Sequence, residues 1–177
     1  MGFIHRDIKP ANILVEVDKQ GSNADLKIID FGMVCRYKKQ DGEVYKDPQV
    51  QPLMFLGTPP YAPIAAHNAV PQAPKDDIES LCYSFIYLYL GRLPWRGQPF
   101  QSETDRYKSM NIMKQNCTMN YNAIVNLLGE GQVPEVVCQL LWESRREQHQ
   151  MGAQRYDSFI QTIDKTIDEA STKSKRK

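Results

Sequence analysis

Apolar and polar positions divide the chain into short extended runs near its start, a long polar stretch, and then helical patterns. Ile13-Leu14-Val15-Glu16-Val17 and Leu26-Lys27-Ile28-Ile29 are apolar, largely β-branched runs, and Asp18-Lys19-Gln20-Gly21-Ser22-Asn23 between them carries turn chemistry. The pair predicts a hairpin with Asn12 at its entrance and Asp30 at its exit, on the same side. From Tyr37 to Pro52 the chain is polar and aperiodic, which predicts an exposed loop, with Tyr45 the only hydroxyl-bearing side chain between Tyr37 and Thr58. Asp76 to Tyr89 carries apolar or aromatic residues on nearly every face, the mark of a helix buried on all sides. Ser102 with Asp105 forms a capping box for a helix through Gln115, and Pro134-Glu135 suits another helix start. Ile160, Ile163 and Ile167 make a stripe at helical spacing, expected to pack.

Composition changes this picture little. A chain of 177 residues, 41% hydrophobic and 24% charged, is long enough for one hydrophobic core. The net charge of +1 gives no electrostatic argument for a nucleic-acid or membrane partner, and neither is expected. The longest apolar run, Leu81 to Leu90, is far too short to span a bilayer. Cys35, Cys82, Cys117 and Cys138 are scattered without a C-x-x-C pair, as free thiols of an intracellular protein would be. The basic end 171–177 is expected to be a disordered tail. A nuclear-import reading of it stays open beside a cytoplasmic one.

The chemistry lies in two segments, His5-Arg6-Asp7-Ile8-Lys9-Pro10-Ala11-Asn12 and Asp30-Phe31-Gly32. The first fits H-R-D-x-x-x-x-N and the second D-F-G, in the order in which a phosphoryl-transfer site uses them. Such chemistry needs positioning and charge neutralisation more than covalent help. Asp7 would accept or orient the proton of an attacking hydroxyl, and Lys9 would sit against the transferring phosphate as a point charge. Asn12 and Asp30 offer the oxygen ligands that Mg²⁺ prefers. An Asp, a Lys and an Asn near a turn are usually ordinary loop residues, but the fixed offsets and the downstream Asp-Phe-Gly outweigh that reading. His67 and His149 have no partner at metal-ligand spacing, and no metal is assigned to histidine.

With Gly57-Thr58-Pro59-Pro60-Tyr61-Ala62, Lys75-Asp76-Asp77-Ile78-Glu79-Ser80-Leu81 and Gly91-Arg92-Leu93-Pro94-Trp95-Arg96-Gly97, these segments carry a resemblance. The chain resembles the C-terminal lobe of a eukaryotic-type protein kinase, and most of all the casein kinase I group, which includes the tau-tubulin kinases. The resemblance runs from Gly2 to about Ala170 and is loose after Gly97. It implies a mainly α fold with small β-hairpins (α+β) and one partial kinase domain over residues 1–170. It also implies ATP and Mg²⁺ as cofactors, a protein substrate and, through Lys9, serine/threonine specificity. By the same resemblance Asp7, Lys9, Asn12 and Thr58 are catalytic and Asn12 and Asp30 hold nucleotide and metal. His5, Arg6, Phe31, Gly32 and Asp77 support the site, with Asp77 holding the backbone of the Asp7 loop; a simple N-cap is the plainer role for Asp77. The segment from Tyr37 to Pro52 corresponds to the activation segment. Pro60 stands where these relatives usually have arginine, so their preference for acidic or phosphorylated substrates does not carry over.

Six residues precede Asp7, and no G-x-G-x-x-G occurs anywhere in the chain. The expectation is a half-kinase lacking the N-terminal lobe: a fragment or truncated product, nearly inactive alone, with a bare interlobe surface that a partner covers. A non-catalytic kinase-derived interaction module is the alternative. A small-molecule phosphotransferase is a further one, opposed by Lys9, Phe31-Gly32 and Gly57-Thr58.

Overall fold

The computed structural model describes residues 2–18, 24–38, 43, 55–97, 102–117, 119–129, 131–146 and, nearer the end, 157, 158, 160, 161 and 165. Most of the polar stretch 37–52, the tail 171–177, Ile163 and Ile167 lie outside them. Among the described residues the fold is mainly helical, with two small antiparallel pairs of strands. In chain order these are β1 (Phe3–Ile4), β2 (Ile13–Val17), β3 (Ala24–Ile28), β4 (Cys35–Arg36), α1 (Ile64–His67), α2 (Pro74–Leu90), α3 (Glu103–Cys117), α4 (Tyr121–Leu128) and α5 (Glu135–Arg146).

The predicted hairpin forms from β2 and β3, with Ile13 opposite Ile28 and Val17 opposite Ala24. Its ends are tied by Ile29 N–H donating to the Asn12 carbonyl at 2.9 Å, so the two motifs meet although 18 positions separate Asn12 from Asp30. The second pair, β1 with β4, brackets both motifs and has no signal in the sequence, because two-residue strands are shorter than any periodicity.

The helix expected from Asp76 begins earlier, at Pro74, whose missing N–H costs nothing in a first turn. Asp76 caps it, accepting the Ala73 N–H at 2.6 Å, and Gly91 ends it in the left-handed conformation at φ 66. Burial on all sides holds only in part. Cys82, Tyr83 and Ile86 are fully buried against α5 and Trp95, whereas Leu88 and Tyr89 in the last turn are exposed. Ser80 and Ser84 are buried without cost because each hydroxyl donates to the carbonyl one turn back, at 3.0 Å. Trp95 meets Tyr83 edge-on at 4.7 Å, and each large side chain buried this way contributes about 1.5–3 kcal/mol.

The Ser102–Asp105 capping box is present, with the Asp105 N–H bonded to Ser102 Oγ at 3.1 Å, and α3 runs two residues past Gln115. α4 was not expected; its start is marked by Asn120, whose side chain accepts from the Ala123 N–H at 2.8 Å. The helix after Pro134 forms as α5. Ile160 is exposed, contrary to its expected packing, so nothing among the described residues covers that position of the stripe. Cys82, Cys117 and Cys138 are buried free thiols, and Cys35 is half-buried. No described helix is long and apolar enough to cross a membrane.

Candidate functional site

The loop between β1 and β2 is built around a backbone that an L-residue resists. Arg6 takes φ 68, a conformation that costs a non-glycine residue about 1–2 kcal/mol. Asp77, in the first turn of α2, holds it there. Its Oδ1 accepts the Arg6 N–H at 2.9 Å and its Oδ2 accepts the His5 N–H at 2.6 Å. Asp77 is therefore not the N-cap of its helix, which is Ala73; its carboxylate is spent on the backbone of the Asp7 loop. Burial lifts the Asp77 pKa above the ordinary 3.8, and the two N–H bonds oppose that rise.

His5 and Arg6 then join this loop to Asp30-Phe31-Gly32. The Asp7 N–H points at His5 Nδ1 at 3.3 Å, which makes Nδ1 the acceptor and leaves Nε2–H to donate to the Ile29 carbonyl at 3.1 Å. Arg6 Nε donates to the Met33 carbonyl at 2.6 Å, and the Phe31 ring lies 5.5 Å from the His5 ring. Phe31 itself is mostly exposed. An apolar cleft of about 510 Å³ opens beside these rings, lined by Phe3, Ile4, Ile28, Val34 and Ile78 among others.

On the other side of the loop Asp7, Lys9 and Thr58 close a triangle. Lys9 Nζ donates to Asp7 Oδ2 at 2.7 Å and to Thr58 Oγ1 at 2.8 Å, and Thr58 Oγ1 donates to Asp7 Oδ1 at 2.8 Å. Asn12 joins them through Nδ2, which donates to the Asp7 carbonyl at 3.0 Å and more weakly to Oδ2 at 3.3 Å. Burial alone would raise the Asp7 pKa, but the Lys9 and Thr58 hydrogen bonds and the Lys9 charge outweigh it and hold the carboxyl below 3.8. Asp7 is thus an anion at neutral pH, 7% exposed, with its proton-accepting oxygens already oriented.

Thr58 reaches Asp7 because Gly57 lets the chain pass close to the loop. Gly57 has φ +103, and a Cβ there would stand 2.9 Å from the Arg6 carbonyl oxygen.

Asn12 and Asp30 are the oxygen donors that suit a hard cation. Asn12 spends its amide nitrogen on Asp7, and no described residue donates to its Oδ1. Asp30 is exposed, in the left-handed region at φ 65, and its Oδ1 accepts only a long 3.3 Å bond from the Gly32 N–H. Carboxylate and amide oxygens with room for water match the preference of Mg²⁺, so these residues fit the implied metal. No cluster of three or more His, Cys, Asp or Glu side chains able to hold a metal occurs among the described residues.

Sequence reasoning missed Glu79, Trp95 and Lys114, which support the segment after Thr58 from beneath. Trp95 Nε1 donates to the Pro60 carbonyl at 2.7 Å, Lys114 Nζ donates to those of Pro59 and Ala62, and Glu79 Oε1 accepts the Ile64 N–H at 3.0 Å. One signal was there to be read: Pro59, Pro60 and Pro63 lack N–H groups, so this segment cannot pair its carbonyls internally.

Residues 1–169 match the family described as protein kinase domain. Over 96 residues, 54% of this chain, the sequence is 38% identical to Casein kinase 1-like protein HD16 of Oryza sativa subsp. japonica. The match covers 14% of that relative, so the chain spans far less than two thirds of its length. Because the matched family takes in nearly the whole sequence, from before the Asp7 loop to beyond α5, the chain belongs to the protein kinase domain family and is casein kinase I-like.

Proposed function

We propose that this chain is the C-terminal, catalytic lobe of a serine/threonine protein kinase that moves the terminal phosphoryl group of ATP to a protein hydroxyl. The observation that carries this reading is the closed Asp7–Lys9–Thr58 triangle, joined by Asn12, with β2 and β3 returning the chain to Asp30 beside it. Asp7 orients the substrate hydroxyl and takes its proton late in the transfer, because a carboxylate held below its ordinary pKa is a good acceptor site and a weak base. Lys9 compensates the Asp7 charge and lies within reach of a phosphate brought to the loop. Asn12 and Asp30 are the residues that would hold Mg²⁺, which when bound neutralises charge on the phosphates. Lys9 and Thr58, rather than a tyrosine-selective arrangement, support serine and threonine as acceptors.

No G-x-G-x-x-G occurs in the 177 residues, and by this reading they bind Mg-ATP weakly by themselves. The test is phosphate transfer from labelled ATP to serine-, threonine- and tyrosine-bearing peptides, by the longest natural product that contains this chain. Asp7→Asn and Asp30→Asn should each lower kcat by about 10²–10⁴ while leaving the fold intact. Undiminished transfer by a folded Asp7→Asn protein would sink the reading.

A second reading, a non-catalytic interaction module, is favoured by one observation. The face of the hairpin formed by Val15, Val17, Leu26 and Ile28 is 48–66% exposed and continues toward the apolar cleft. A full site with no transfer to any of the peptides would favour it.

A further inference from the structure

Lys114 is the least expected side chain in the molecule. It is fully buried in α3, where lysine is almost never found unless it is paired. Its Nζ lies 2.8 Å from the Pro59 carbonyl, 2.7 Å from the Ala62 carbonyl and 3.1 Å from His67 Nε2. The ammonium also stands over the rings of Tyr83 and Trp95, at 4.9 and 5.4 Å. These contacts reach into a segment with few ways to order itself. Three of the five residues from Pro59 to Pro63 have no N–H, and the two that do, Tyr61 and Ala62, both donate to the Thr58 carbonyl, at 2.9 and 2.8 Å. The carbonyls of Pro59, Pro60 and Ala62 point the other way, into the protein, where they need donors. Lys114 supplies two and Trp95 Nε1 the third. The far end is fixed by Glu79, which takes the Ile64 N–H and is itself held by Tyr83 OH at 2.6 Å and Arg145 at 3.2 Å.

We propose that Lys114 is a positioning residue: by holding the Pro59 and Ala62 carbonyls it sets the place of the strap from Thr58 to Ile64, and so the surface against which a protein substrate lies beside Asp7. The substrate half of this statement rests on the kinase reading above; the strap half does not. The strap leaves the site at Thr58, whose hydroxyl touches both Asp7 and Lys9, so a shift at Pro59 is felt one residue from the catalytic triangle. The charge on Lys114 matters to this. Burial draws its pKa down to about 7, and Glu79 opposes the fall. Among the described groups that face it are also His67 on α1 and Tyr83 on α2, with Arg145 of α5 behind Glu79. His67 is held neutral, its pKa pushed to about 3 by burial and then by the Lys114 charge. Its Nε2 lies 3.1 Å from the ammonium and 3.3 Å from the Pro59 carbonyl, and the ring's tautomer sets whether it accepts from the one or donates to the other. Loss of the Lys114 proton removes one of its three donors from this cluster.

Two readouts test this. Hydrogen exchange at the Tyr61 and Ala62 amides, against the α2 amides of Tyr83 to Ile86 as a fold control, should be at least tenfold faster in Lys114→Met, with the control unchanged. In the longest natural product, the same variant should raise KM for a protein or peptide substrate severalfold and leave KM for ATP as it was. Unchanged exchange in a folded Lys114→Met overturns the positioning role. Faster exchange with unchanged peptide KM overturns its link to substrate. If no phosphate transfer is found even in the unsubstituted protein, the kinase reading fails while the exchange result still decides the strap. Should Lys114→Met not fold, the unsubstituted chain labelled with ¹⁵N at lysine Nζ serves instead. Tyr61 and Ala62 exchange, corrected by the α2 control, should rise as Lys114 Nζ loses its proton, and a flat ratio through that titration overturns the proposal.

Discussion

A left-handed arginine, a glycine passing within van der Waals distance of it, and a carboxylate holding its N–H decide the geometry around Asp7. Gly57→Ala puts a Cβ 2.9 Å from a backbone oxygen, at a φ of +103 that alanine resists. It should cost about 1–3 kcal/mol, seen as a lower urea midpoint at unchanged m-value. Asp7 also predicts a pH effect. Its pKa is depressed in the folded chain, so the stability it contributes is present above its unfolded pKa of about 3.9 and is lost as pH falls through the folded value. Asp76 and Asp77, raised by burial, act in the opposite sense, so the comparison that isolates Asp7 is with Asp7→Asn. As pH drops from about 5 to 3, chemical unfolding should show the unsubstituted chain losing stability relative to that variant. At this scale the sequence was informative where chemistry is local. Asp7, Lys9, Asn12 and Asp30 stand at fixed offsets that their chemistry requires. The burial of Lys114 was not legible, because its α3 neighbours alternate apolar and polar without a clear face and the two carbonyls it holds lie 52 and 55 positions away.

Among the elements, α2 is the axis: its first turn holds the Asp7 loop, its middle packs on α5, and Glu79 links it to both α1 and α5. The Glu79 side chain is fully buried and its Oε2 faces Arg145, 22% exposed, at 3.2 Å. A buried pair of this kind adds little by itself, yet removing one partner strands the other. Arg145→Met should therefore destabilise the chain by about 3–5 kcal/mol in thermal or urea unfolding, whereas Arg146→Met, whose pair with Glu143 is long and largely exposed, should change it by less than about 1 kcal/mol. Comparable losses in the two variants would show that Glu79 is satisfied without Arg145. The long helix and the hairpin were readable from period and turn chemistry. The two-residue strands were not, being shorter than any period, and α4, of eight residues, offers only the Asn120 cap and the Ile124–Leu128 spacing, a signal too short to stand out from its surroundings.

Across the whole molecule, apolar surface is distributed unevenly. The core between α2, α4 and α5 is closed, with Tyr83, Ile86, Ile124 and Trp95 all but inaccessible. Around the hairpin the same kinds of side chain are open. Val15 and Leu26 face each other across the strands at 60% and 66% exposure, flanked by Ile28 and Val17 on one apolar face. The opposite face carries the Lys27–Glu16 ion pair and is suited to water. Among the described residues nothing covers this face or pairs with the outer edges of β2 and β3, and a two-stranded hairpin left so is marginal on its own and open to a neighbouring chain. The β2 and β3 patterns alternated well enough to predict strands, but alternation says only that one face is apolar; what covers it depends on groups that a local pattern does not encode. These 177 residues should therefore associate with one another as concentration rises, and bind an apolar dye, at this face rather than through the helices. Leu26→Lys places a charge at the centre of the patch, where no described neighbour is displaced. It should lower dye binding and shift sedimentation toward the single chain, while helical circular dichroism is unchanged and the free energy of unfolding stays within about 0.5 kcal/mol of the unsubstituted value. Undiminished association in Leu26→Lys would place the sticky surface elsewhere and leave the hairpin face without a role in self-contact.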